Sequence, residues 1–156
     1  MMSNVPLRLT AGALVILIAL LHVLHPSHGI RGVLIYWQAG TLFIDPRPVT
    51  FTVSGLALIA GVLAAWRDVI PRKPAYLAGI LTVSAYLLGY VMWHLTGHGG
   101  LWPGLEPRTH GGNPVSILIT HLVEDTWERT TKALESITIV LLSYLYVMEA
   151  HSPKDQ

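Results

Sequence analysis

The chain has 156 residues, the size of one domain, with 52% hydrophobic residues, only 12% charged residues and a formal net charge of +1. A water-soluble domain carries roughly twice that charged fraction, so the lipid bilayer is the expected solvent for much of the surface, and so small a net charge leaves no footprint for nucleic acid. Cysteine is absent, which excludes disulfides, thiolate metal ligands and a cysteine nucleophile.

Four apolar stretches follow, each near the ~20 residues that ~30 Å of hydrocarbon requires of a helix. The first covers residues 9–25 and is uncharged. Arg8 precedes it, but the chain then reads Leu24-His25-Pro26-Ser27-His28 with no small-residue cleavage site, so a retained helix is expected rather than a removed leader. Pro26 lacks the amide that would bond the His22 carbonyl, which predicts fraying there. Residues 29–48 are long and apolar, with Val33–Trp37 and Thr41–Ile44, and are expected as an outer loop resting on the membrane interface up to Asp45-Pro46-Arg47-Pro48. The second span covers 49–66, a basic turn broken by Pro71 and Pro74 covers 67–75, and the third span covers 76–95. Gly55, Gly61, Gly79 and Gly89 are expected to let helices approach closely. Residues 97–114 are rich in glycine and proline, carry His-Gly-Gly at His98 and His110, and should be irregular.

Asn113 as N-cap and Pro114 as first residue open the next helix. At ~100° per residue, His121, Glu124, Asp125, Glu128, Lys132 and Glu135 share an arc of about 100°. Val123, Trp127, Leu134, Ile137, Leu141 and Met148 lie opposite. Both stripes stay in phase, which predicts one continuous helix over 114–149, ~54 Å long. Residues 114–132 would then project beyond a fourth span at 133–149. The expected fold is all-α, a single transmembrane domain over residues 1–156 built as a four-helix bundle. Basic residues balance on the two sides, but the compact 67–75 turn favours cytoplasmic termini and an outer histidine face in the cell membrane.

Seven of the eight histidines converge on that face once the spans are drawn: His22, His25, His28, His94, His98, His110 and His121. The i,i+4 pair His94 and His98 suits a metal site. The expected metal ligands are His94, His98, His121 and Glu124, with His22 as a further or alternative ligand. Asp125 and Glu128 would orient the imidazoles from behind. Imidazole and carboxylate without thiolate suit Zn, Cu(II) or Fe. In a variant, haem b is held between His22 and His94. Glu135 is an intramembrane carboxylate, with Lys132 one turn away as its local partner.

Other readings compete. The charged stripe is equally a solvated face carrying an ordinary Glu128–Lys132 pair. The chain is then a cofactor-free accessory subunit, packed with other membrane subunits or with copies of itself. A proton-linked carrier using Glu135 is a third reading. No Gly-x-Ser-x-Gly elbow, phosphate loop or dinucleotide glycine pattern occurs, so no reaction is assigned.

Overall fold

The structure is a computed structural model that describes residues 4–98, 102–103, 106–107 and 113–150. His110, counted above among the converging histidines, lies outside the described residues. The elements are α1 (Val5–Val23), α2 (Ile30–Gln38), α3 (Arg47–Trp66), α4 (Arg72–Leu95), α5 (Pro114–Glu124) and α6 (Thr126–Ala150). Proline occupies the first or second position of three of them, α1, α3 and α5, where a missing amide costs no hydrogen bond. The α4 helix stops where Gly97 and His98 both turn left-handed, with φ of 74° and 55°, and the His98 amide folds back to the Trp93 carbonyl at 2.7 Å.

Among the described residues, four helices are long and apolar enough to cross a membrane: α1, α3, α4 and residues Thr126–Glu149 of α6. They form a ring in the order α1, α3, α4, α6, which closes through α1 against α6 and sets α1 diagonally across from α4. Ala11, Val15, Ile18, Leu58, Val83, Leu142 and Leu145 make the shared core. Leu56, Leu81, Leu88, Ile137 and Val140 point outward, the disposition that a hydrocarbon solvent favours. Gly55 is a true close approach, since a Cβ there would lie 2.6 Å from Val23 Cγ2 and 3.0 Å from the Ala19 carbonyl oxygen. Gly79 similarly faces Leu142 Cδ1 at 3.0 Å, whereas a Cβ on Gly61 or Gly89 would meet nothing within 4 Å. Two of the four expected glycine contacts are therefore made.

Two expectations are corrected. Residues 29–48 are not one long loop, because α2 forms within them and packs on α3. Gly29 in extended conformation opens α2, and Gly32 lies buried against Pro48 while Leu34, Ile35 and Trp37 stay exposed. The second correction concerns the continuous helix over 114–149, which breaks at Asp125, where the backbone is extended (φ −86°, ψ 107°). Asp125 Oδ1 accepts from the amides of Trp127 at 2.8 Å and Glu128 at 3.2 Å, making it the N-cap of a new helix. A carboxylate satisfying two orphan amides offers the backbone a local alternative to an uninterrupted helix.

Within α6 the face assignment is clear. Thr131, Glu135, Thr138, Leu142 and Leu145 are buried, and Ile137, Val140 and Met148 are exposed. The part of the charged stripe that lies in α6, Glu128, Lys132 and Glu135, thus faces the bundle, while Glu124 and Asp125 before it are exposed. Leu134 and Leu141, expected on the outer side, sit partly buried at the core's edge.

Candidate metal centre

His94 occupies the last turn of α4, His98 the left-handed turn just after it, and His121 the last turn of α5. Their ring centroids form a triangle: 4.9 Å from His94 to His98, 5.0 Å from His94 to His121 and 5.4 Å from His98 to His121. One ring nitrogen from each lies within 4.8 Å of the other two. His94 is buried and the other two are half-buried. His94 Nδ1 lies 2.9 Å from the carbonyl oxygen of Tyr90. A carbonyl only accepts, so Nδ1 carries the proton and Nε2 keeps its lone pair for a metal. His98 reaches the cluster because its backbone adopts φ near +55°, a conformation uncommon outside glycine and recurrent at functional sites.

The other expected site residues are placed differently. Glu124 is exposed and outside the three-histidine group. Asp125 gives Oδ1 to the α6 cap, and the hydrogen bond that orients His94 comes from the Tyr90 carbonyl instead. Glu128 is half-buried on the wall of the adjoining cavity. His22 is not one of the three clustered histidines. Its Nε2 lies 3.3 Å from Glu135 Oε1, and its ring stacks on Tyr86 at 3.8 Å between centroids. Glu135 is fully buried and both its oxygens accept from Lys132 Nζ at 2.8 Å, so Lys132 turns to Glu135 rather than to Glu128.

No protein-family model, no curated protein and no solved structure matches this chain. The residues alone therefore carry the functional argument.

A cavity of about 520 Å³ joins these groups, with His22, His94, His98, His121, Glu128 and Lys132 among its walls. The turn between α1 and α2 contributes His25 and His28. Burial, then the nearby Arg47 charge, lowers the His25 imidazole below its usual range. The same two causes, followed by His25 itself, push His28 down to about 4. Both rings are thus neutral at pH 7, the form in which imidazole binds metals.

Arg47 also lines this cavity, and it and its partner Asp45 are not among the residues the sequence singles out. Arg47 donates from Nε at 2.9 Å and 3.1 Å and from a terminal nitrogen at 2.6 Å to the Asp45 carboxylate. Its guanidinium lies 3.8 Å above the Trp93 ring, which ties the start of α3 to the last turn of α4. Burial raises the Asp45 carboxyl, but the Arg47 hydrogen bonds and charge outweigh that and hold it below its usual value. The sequence did carry one relevant signal: each backbone anchor lies four residues before its histidine, Ile18 for His22 and Tyr90 for His94.

Proposed function

We propose that the chain is an integral membrane protein that binds a transition-metal ion through His94, His98 and His121 at one end of its helix bundle. The single observation that supports this is the convergence of three imidazole nitrogens to within 4.8 Å of one another. A tetrahedral ion with ~2.0–2.1 Å bonds needs its ligand nitrogens about 3.3 Å apart. Rotamer adjustments of roughly 1.5 Å close that gap. Three neutral nitrogens with no thiolate favour Zn, Cu(II) or Fe over Cu(I). Three protein ligands leave a fourth position for a water or an exchangeable ligand, as in sites that handle or react at the metal rather than merely hold a fold.

The test is metal analysis and Zn(II), Cu(II) and Fe(II) titration of the purified protein. His94→Ala and His121→Ala should each lose more than the ~10–100-fold that removal of a mere orienting partner costs. Glu124→Ala should bind as the native chain does, with helical content unchanged in all three. Failure to bind any of these ions stoichiometrically, even on reconstitution, would reject this metal centre, and absence of a Soret band as well would leave the reading of a cofactor-free subunit.

A second reading, haem b between His22 and His94, is favoured by one feature. Both rings hold Nδ1 against the carbonyl four residues back, at 2.9 Å in each case, and their helices lie diagonally across the bundle. Against it, iron at His22 Nε2 would have to displace Glu135. A Soret band lost on His22→Ala or His94→Ala would decide for haem.

A further inference from the structure

The second buried cluster of titratable groups is His22, Lys132 and Glu135, on α1 and α6. It has no part in the three-histidine centre. His22, in the last turn of α1, is 4% exposed and Glu135, in the third turn of α6, is 0% exposed, both buried within a bundle whose outer face is apolar. Ionisable groups at such depth are costly, and those retained there usually serve ions or protons.

Hydrogen-bond bookkeeping on the His22 ring carries the argument. Nδ1 lies 2.9 Å from the carbonyl oxygen of Ile18, and Nε2 lies 3.3 Å from Glu135 Oε1. The Ile18 carbonyl only accepts, so Nδ1 must hold a proton. Glu135 is paired at 2.8 Å through both oxygens with the Lys132 ammonium, so as a carboxylate it too only accepts. A neutral ring protonated at Nδ1 would set the bare lone pair of Nε2 against a carboxylate oxygen. The opposite tautomer would set bare Nδ1 against a carbonyl oxygen. An imidazole flanked by two acceptors is satisfied only when one further proton is present, on Nε2 or on Oε1. His25, three residues on, makes the contrast, since its Nδ1 accepts from the amides of Ser27 and His28 and needs no second proton.

We propose that the His22–Glu135 pair is a proton-binding site, holding one proton between Nε2 and Oε1 and exchanging it with the cavity. Loading adds one positive charge to a cluster that is neutral when empty, with Lys132 positive and Glu135 negative. Among the described residues, the groups facing it are few. Tyr86 stacks on the His22 ring with its hydroxyl engaged by Ser54 Oγ at 2.6 Å, and Phe51 meets the ring edge-on at 4.8 Å. The Tyr90 ring lies 5.2 Å below Lys132 Nζ, and His25 stands in the turn that follows α1. His22 and Lys132 form part of the cavity wall, whereas Glu135 is fully enclosed, so the proton enters and leaves through His22. Storage and return of a single proton inside the bundle is the elementary step of proton-coupled transport or electron transfer.

The experiment is a pH titration of the full chain in nanodiscs with chelator present. Nitrogen-15 NMR reads the histidine rings, and infrared difference spectroscopy reads the carboxyl groups. The expected result is one step that converts His22 to a doubly protonated ring, or Glu135 to a carboxylic acid, with uptake of one proton per chain. Glu135→Gln should abolish that step and leave His22 neutral, because the glutamine amide N–H supplies the donor that Nε2 needs. Should that variant not fold, the native protein still decides. A His22 ring that keeps a single proton at every pH, with Glu135 always ionised, would overturn the proposal. A Soret band abolished by His22→Ala would overturn it too, since iron would then occupy Nε2. The metal centre stands or falls separately, on His94 and His121.

Discussion

Replacing Glu135 by leucine tests whether the charged stripe of α6 is built into the bundle. The carboxylate is 0% exposed and accepts two 2.8 Å hydrogen bonds from Lys132, whose side chain is 13% exposed. Leucine has similar bulk but leaves the ammonium buried without its counter-charge. Removing one member of a buried pair costs about 3–5 kcal/mol, or roughly two to three and a half decades in the folding equilibrium. The double variant Glu135→Leu/Lys132→Met should recover most of that loss, because apolar replacement of both ions is often neutral or better. Val123→Ala is the control. Val123 is 58% exposed, and a surface change of this kind stays within about 0.5 kcal/mol. Equilibrium unfolding in mixed micelles, followed by circular dichroism and tryptophan fluorescence, measures all four proteins. A Glu135→Leu protein within about 0.5 kcal/mol of the native one would refute the reasoning and return the stripe to the surface.

Stability should also depend on pH through the turn between α1 and α2. His28 titrates at about 4 in the folded protein against 6.5 in the free side chain, so unfolding takes up a proton between those values. Stability therefore falls as pH drops from 6.5 to about 4 and levels off below, with His25 acting in the same direction. His28→Gln should flatten that slope in unfolding curves measured across the window, and an unchanged slope would show that other groups set it. Topology is checked with single cysteines, which the native chain lacks. An impermeant thiol reagent on intact cells should label a cysteine at exposed position 116 and spare one at 73, and the reverse pattern would place the histidine cluster on the cytoplasmic side.

How far the site was legible depended on distance along the chain. His94 and His98 at i,i+4, and Lys132 with Glu135 at i,i+3, are local patterns, and both pairs come together. The break at Asp125 does not show in the sequence pattern, because helical phase survives a single interrupted residue in a projection. Capping is a competition between Asp125 Oδ1 and the backbone, which periodicity does not register. Glu124 shared the polar arc with His121, yet with the helix ending there it stays exposed beside the cluster rather than in it. In sequence Arg47 stands at the end of a loop, and nothing near it announces Trp93 as the ring beneath its guanidinium.

By itself the sequence determined the all-helical character and four stretches long and apolar enough to cross a membrane, because length, hydropathy and proline placement are properties of single segments. It also determined which end of those segments holds the histidines. Only the tertiary structure decided which histidines meet. The ring order α1, α3, α4, α6 sets α1 beside α6, which delivers His22 to Glu135, while the packing of α5 on α4 brings His121 to His94. Imidazoles from different segments are assigned by helix packing, and packing turns on contacts such as Gly55 against Ala19 and Val23 that no one-segment pattern contains.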